Sequence, residues 1–337
     1  MLMVILGAGA SYDSTPRYPP GMGLPTEPRP PMIDGLFDTR FKGIIGRFPE
    51  CRPLVPFLDS SVEDTLQRFQ AEASEDPELY KPLMAIRHYL PWVVGDCEQR
   101  WLQEHGRITN QAALLSRINL WCTRNRERAC VVTFNYDTFI EQGFLDTLRI
   151  TMVQLGEYIA SDRYKVIKLH GSVTWFHEVE SPAIADVEHR NAEDIARELI
   201  ARGEEVRASK GFRVGDRTTI GKAGDRGPAV IPAIAAPVLA KPEFECPIEH
   251  VKALEVCLPS VSKCLVIGWK GREQQFLEML KVVPSRASGL VVAKDRAEAE
   301  EVGDGLRRVS PCSFEPIGAK GFTEFIKTRA VDDFLAC

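Results

Sequence analysis

The sequence contains no two cysteines spaced as Cys-x-x-Cys. Its nine cysteines stand at 51, 97, 122, 130, 246, 257, 264, 312 and 337, which writes neither a zinc knuckle nor a redox dithiol into the chain. An odd number in no regular framework fits reduced thiols, and a cytoplasmic setting is expected. Long apolar runs are missing too. The opening Met1-Leu2-Met3-Val4-Ile5-Leu6 is too short for a signal-peptide core and has no basic segment, and no later run is long enough to cross a bilayer. No membrane association is expected. Charge of one sign is also lacking: a net charge of -5 over 337 residues, with 26% charged, gives no whole-surface affinity for nucleic acid. The basic residues Arg124, Arg126 and Arg128, and those between Arg202 and Arg226, read as solvated helix ends and loops.

What is present is a series of short apolar strands that stop at polar, glycine-containing turns. Residues 2 to 6 run into Gly7-Ala8-Gly9-Ala10-Ser11, as a buried parallel strand does on entering a tight turn. Ala129 to Phe134 leads into Asn135-Tyr136-Asp137 and an apolar-periodic helix through Phe139, Ile140, Phe144 and Leu145. Lys165 to Leu169 ends at His170-Gly171-Ser172, Cys264 to Ile267 ends at Gly268-Trp269, and Gly289 to Ala293 precedes a charged helix from Arg296 to Val302. Strand, polar turn and helix in alternation predict an α/β fold with a Rossmann-like doubly wound parallel sheet.

Two inserts interrupt that pattern within what reads as one domain, 1–337. Helical spacing from Met32, with Ile33, Leu36 and Phe37 on one face, and again over 61–71, 79–94 and 110–122, predicts a helical subdomain at about 33–125. A loop-rich insert follows at about 176–246, holding a polar helix from Ala192 to Arg202 and an exposed loop from Gly211 to Gly227. The stretch Pro16 to Pro31 is too dense in proline and glycine for a helix or a central strand. A lid and an assembly contact both remain open for it.

The strand ends carry the chemistry. A glycine and alanine turn after a strand lets the backbone approach a diphosphate, but it equally makes a plain tight turn. Tyr12 stands where a dehydrogenase has its third glycine, and no strand ending in an acidic residue follows about 20 residues on. Asn135 and Asp137 can grip a ribose or orient a glycosidic bond, or can serve as a helix cap and a first-turn acid. His170 can accept a proton near neutral pH.

Taken in order, Gly7-Ala8-Gly9-Ala10-Ser11, Thr133-Phe134-Asn135-Tyr136-Asp137, Lys168-Leu169-His170-Gly171-Ser172 and Ile267-Gly268-Trp269 resemble the sirtuin-like (SIR2-like) NAD-binding family, in particular its prokaryotic anti-phage defence members. The resemblance runs from residue 1 to about 295. It implies that Gly7, Ala8, Gly9, Ala10 and Ser11 cradle the phosphates of NAD, that Asn135 and Asp137 lie near the nicotinamide ribose and its leaving group, that His170 is the catalytic histidine with Asn135 as a second catalytic residue positioning the attacking group, and that Gly268 lies on the nucleotide side. Deacylase sirtuins carry paired Cys-x-x-Cys motifs after the His-Gly-Ser segment, whereas no cysteine occurs between Val173 and Glu245; no zinc module and no metal are expected. Where the deacylase pattern has Gly-Thr-Ser, this chain has Gly268-Trp269-Lys270-Gly271-Arg272. The resemblance therefore implies an NAD hydrolase that consumes NAD as substrate and depletes it in defence. A protein deacylase, an ADP-ribosyltransferase and a non-catalytic NAD or ADP-ribose sensor remain as alternatives, and NAD and NADP are not separated. The layout, with Phe244-Glu245-Cys246-Pro247, is similar to SIR2-like proteins that pair with a HerA-type ATPase. Such a partner and a homo-oligomer are expected, and direct nucleic-acid binding is not.

Overall fold

The computed structural model describes residues 1–14, 28–55, 61–216, 221–223, 227–236 and 244–336. Its strands are β1 Leu2–Leu6, β2 Ala129–Thr133, β3 Tyr164–Lys168, β4 Gly171–Ser181, β5 Arg207–Ala208, β6 Arg213–Val214, β7 Gly221–Lys222, β8 Ala229–Ile234, β9 Lys263–Ile267, β10 Ser288–Val292 and β11 Ser313–Pro316. The chain separates into two compact units. One comprises Met1–Pro30, Glu98–His170 and Cys246–Cys337, the other Pro31–Cys97 and Gly171–Glu245.

The first unit is built on a six-stranded parallel sheet in the order β11-β10-β9-β1-β2-β3. Every residue of β1 is buried, which suits a strand covered on both faces. The order runs β1, β2, β3 to one side and β9, β10, β11 to the other, so the winding reverses at β1 as in a doubly wound sheet. Helix Asn110–Asn125 turns Leu114, Leu115, Ile118 and Cys122 inward and packs against helix Phe139–Leu148. Gly143 permits the approach, because a Cβ there would meet Leu115 Cδ1 at 2.9 Å. Helix Arg296–Val309 is started by Asp295, whose side chain accepts from the Glu298 amide at 2.9 Å and satisfies one of the unpaired first-turn donors.

The second unit carries an antiparallel sheet in which β4 pairs with β8, β5 and β6, and β8 with β7. Helix Ala192–Ala201 is capped by Asn191. It buries Ile195 and Leu199 against Ala229 and Ile231 of β8, side chains of one helix face four residues apart.

Several expectations are changed. The partition does not follow the expected insert at 33–125: its boundary falls inside helix Tyr80–Glu104, and helix Asn110–Asn125 belongs with the parallel sheet. Helical spacing around Ile33, Leu36 and Phe37 yields only the turn Ile33–Gly35, since Gly35 weakens helix propagation. The helix expected over 79–94 runs through Pro91 to Glu104. Among the described residues of 176–246, the later part of β4 and the strands β5 to β8 form a sheet that the expected loop-rich insert did not include. β8 was hidden by Pro232, which reads as a strand breaker, yet is buried opposite Phe176. Residues 15–27 of the Pro/Gly-dense stretch, and 217–220 and 224–226 of the expected exposed loop, lie outside the described residues. No helix among the described residues is long and apolar enough to cross a membrane.

Candidate functional site

Parallel register brings the strand ends to one level. Leu6 pairs with Thr133 on one side and Ile267 on the other, Thr133 pairs with Lys168, and Ile267 with Val292. The chain therefore leaves the sheet at Gly7, Phe134, Leu169 and Gly268 along a single carboxyl edge, where ligands of open α/β sheets bind.

Glycines in two of these exits are explained by contact between their backbones. A Cβ on Gly7 would meet Gly268 O at 2.4 Å, one on Gly9 would meet Gly268 Cα at 2.9 Å, and one on Gly268, whose φ is +60°, would meet Ala10 N at 2.4 Å. Such distances forbid any side chain without backbone movement. The amide of Gly7 donates to Ile267 O at 3.0 Å, Gly9 to Gly268 O at 3.0 Å, and Ala10 to Gly7 O at 2.9 Å. These three amides are engaged in holding the turn, which narrows the expected phosphate cradle to the outer surface at exposed Ala8 and half-buried Gly9.

Side chains from distant elements fasten the same loop. Asn135 Nδ2 donates to Gly7 O at 2.9 Å and to Ser11 Oγ at 2.7 Å, and Ser11 Oγ donates in turn to Asp137 Oδ2. Gln111 Nε2 donates to Ala10 O at 3.0 Å, and Asn110 Nδ2 to Asp13 O at 2.7 Å. The Asp13 carboxylate accepts from the amide and hydroxyl of Thr323. Burial pushes the Asp13 carboxyl up, with Thr323 and Arg29 pulling against it. Asn135 thus works as the clamp of the loop and not as a helix cap, and Asp137, ahead of the cap residue Thr138 and so not a first-turn acid, accepts from Phe139 N at 3.2 Å.

Beneath Asp137 lies a buried cation. Lys168, 0% exposed, pairs with Glu141 Oε1 at 2.9 Å and donates to Asp137 O. Tyr158 OH donates to the same Glu141 oxygen at 3.0 Å. Burial pushes the Asp137 carboxyl up, and the Lys168 ammonium and the Ser11 hydroxyl pull it back only in part. Removing one partner of such a buried pair costs roughly 3–5 kcal/mol, because the other charge is stranded.

His170 belongs to a different group of contacts at the same edge. It is buried, with its ring 4.9 Å edge-on from that of Phe134 and 6.5 Å from that of Tyr136. Phe134 stacks on Trp269 at 5.1 Å and 4°, and Phe276 meets both edgewise. His170 Nε2 stands 4.0 Å from Glu273 Oε1. The other oxygen, Glu273 Oε2, accepts from Trp269 Nε1 at 2.6 Å and from the Arg272 amide at 3.2 Å.

The residues expected from sequence thus fall into two sets, Gly7, Gly9, Ala10, Ser11, Asn135, Asp137 and Gly268 in one bonded network with Ala8 exposed on the loop, and His170 within the aromatic group. Lys168, Glu141, Gln111, Asp13 and Glu273 were not foreseen. Only Lys168 left a signal, as a charge at the end of an apolar parallel strand, where lysine stays buried only if paired. Among the described residues, no group of three His, Cys, Asp or Glu side chains could hold a metal ion, and eight of the cysteines are buried and unbridged.

No family model and no curated protein matches this chain. Among solved structures, the chain is similar to a SIR2 homologue in complex with NAD, at 12% identity and a TM-score of 0.42 over 99% of this chain and 88% of that one. It is similar also to Sir2Tm bound to a propionylated peptide, at 12% identity and a TM-score of 0.44 over 99% and 94%.

Proposed function

We propose that this protein hydrolyses NAD to nicotinamide and ADP-ribose. The observation that carries the reading is the common level of four strand exits, which puts the loop Gly7–Ser11, Asn135 with Asp137, His170, and Gly268 with Trp269 along one sheet edge. The ordered likeness of these four segments to SIR2-like proteins supports it. In this reading the diphosphate lies over Ala8 and Gly9, with the loop held stiff by Asn135, Gln111 and Asp13. Stiffness matters because catalysis needs atoms held to within a fraction of an ångström.

The glycosidic bond between the ribose C1′ and the nicotinamide nitrogen breaks with its electron pair leaving on neutral nicotinamide. A water oxygen bonds to C1′, and His170 takes the proton that this water loses and returns it to solvent. Asn135 and Asp137 serve the ribose through the loop they fix.

The same reading assigns the protein a role in NAD depletion during anti-phage defence, acting as a homo-oligomer with a HerA-type ATPase that controls it. Cleavage of a common cofactor is harmful without control, which is the chemical reason for a partner. The test is to incubate the purified chain with NAD, alone and with such an ATPase, and to follow nicotinamide by chromatography. Release in either mixture, lost in His170→Ala, is expected. Absence of nicotinamide from both mixtures overturns the reading, and release only when an acylated peptide is added moves the activity to deacylation.

A further inference from the structure

A lysine is costly to keep inside an apolar parallel sheet. Lys168 closes β3 behind Val166 and Ile167, is fully buried, and stands level with Thr133 of β2. Taking an ammonium out of water is offset only by a close counter-charge and filled hydrogen bonds, and an apolar side chain of similar length would occupy the space without that cost. The charge is therefore kept for what it holds. It spans the turn that follows β2: Nζ pairs with Glu141 Oε1 at 2.9 Å, in the first turn of helix Phe139–Leu148, and donates to the Asp137 carbonyl ahead of that helix. Glu141 is held in turn by Tyr158 OH at 3.0 Å. From Asp137 the contacts continue to the loop. Asp137 Oδ2 accepts from Ser11 Oγ, which accepts from Asn135 Nδ2 at 2.7 Å, and the same Nδ2 reaches Gly7 O at 2.9 Å.

We infer that Lys168 is a positioning residue of the candidate site, fixing the Asp137 peptide so that Ser11 and Asn135 hold the loop Gly7–Ser11 in place at the sheet edge. Its catalytic consequence rests on the NAD-hydrolase reading, though its geometry does not. Being fully buried, Lys168 meets no substrate and acts only through the residues it holds. Small displacements suffice for a large effect, because a misplacement of about 1 Å originating far from the chemistry lowers a rate by roughly 100-fold. Pairing with Glu141 also cancels the charge. The turn is thereby anchored by a cation without adding net positive charge near a ribose that becomes electron-poor as nicotinamide departs.

Two variants and two readouts test this role. Lys168→Met removes the ammonium but leaves Glu141 buried without its counter-charge, so a loss of stability is expected on that ground alone. Lys168→Met combined with Glu141→Gln removes both charges and keeps an oxygen that accepts from Tyr158 OH. A pair that served stability alone would be replaced in this way with little loss. In the double variant, kcat for nicotinamide release per folded molecule is nevertheless expected to stay roughly 10- to 100-fold below the wild type. The calorimetric Kd for NAD should change less, since the loop stays closed on its backbone bonds to Ile267 and Gly268 while its position shifts. Hydrogen exchange gives a readout independent of turnover. The amides of Gly7, Gly9 and Ala10, which donate to Ile267 O, Gly268 O and Gly7 O, are expected to exchange about tenfold faster, the equivalent of about one net hydrogen bond of local stability. Amides of β10 should keep their wild-type rates. Unchanged exchange in the loop, acceleration spread evenly over the loop and β10, or wild-type kcat in the double variant overturns the inference. If the wild type releases no nicotinamide, it is the proposed reaction that has failed, and the exchange comparison by itself decides whether Lys168 positions the loop.

Discussion

Each unit of the molecule buries a histidine beside a glutamate, and the two pairs are held in different ways. In the antiparallel unit His177 is gripped at both nitrogens: Nδ1 lies 2.8 Å from Gly211 O and Nε2 2.5 Å from Glu245 Oε1. Burial pushes the Glu245 carboxyl up, but His177 and Arg87 outweigh it and hold the group below its usual value of 4.5. In the parallel unit His170 meets Glu273 at 4.0 Å, amid aromatic rings. His177 is fastened through both ring nitrogens, whereas His170 stands 4.0 Å from its glutamate and packs among aromatic rings at the sheet edge. The difference teaches that burying a histidine beside a glutamate does not by itself assign the pair a role; the elements around the ring do.

Three experiments sharpen or break this contrast. The largest effect separates the histidines themselves. His170→Ala is expected to lower NAD turnover by roughly 10²- to 10⁴-fold with little change in melting temperature. His177→Ala is expected to lower stability by about 1–3 kcal/mol, through polar partners left unsatisfied, while the rate per folded molecule stays at the wild-type level. Nicotinamide release normalised to folded protein, together with urea denaturation, measures both; the opposite pattern would reverse the assignment.

Next in size is a matched glycine pair. Gly268 (φ +60°) and Gly221 (φ +85°) each stand where a Cβ would strike backbone, at Ala10 N and at Ala192 O respectively. Alanine at either site is expected to cost about 1–3 kcal/mol in strain. Turnover per folded molecule should drop only for Gly268→Ala, which displaces the loop Gly7–Ser11. Equal turnover losses in the two variants would show that the loop contact has no special part in the site.

The smallest effect is a slope with pH. Glu245 is held low, so its contribution to stability is present above the ordinary carboxylate value and is lost as pH falls through its folded-state value. Asp137, pushed up mainly by burial, gives the opposite sign: its contribution is full in acid and is lost as pH rises through its folded-state value. Denaturant melts across acidic to neutral pH should therefore flatten on the acid side in Glu245→Gln and on the higher side in Asp137→Asn. Matching slopes in the two variants would remove the distinction.

Much of the parallel unit was legible in advance. β1, β2, β3, β9 and β10 lie within a residue or so of the runs expected at 2–6, 129–134, 165–169, 264–267 and 289–293, because strands buried on both faces are written as unbroken apolar runs bounded by glycine. The antiparallel sheet was not. β4 mixes Trp175 and Phe176 with His177 and Glu178, and β8 contains Pro232, so neither shows a clean alternation. The short β11 and the helix Gly321–Lys327 also escaped notice. That helix supplies Thr323, which binds the Asp13 carboxylate through its amide and hydroxyl, a link between residues 310 positions apart that no local pattern encodes.

By itself the sequence determined the strand ends and the residue types that follow them, since hydrophobic periodicity and glycine placement are local properties of the chain. Tertiary structure alone decided what those residues do to one another. It turned the Gly7–Ser11 glycines into a backbone contact with Gly268, made Asn135 the clamp of that loop, placed Lys168 under Asp137, and set Glu273 beside His170. Each of these depends on strand register and on side chains that converge from distant positions, and the geometry of such convergence exists only once the sheet has formed.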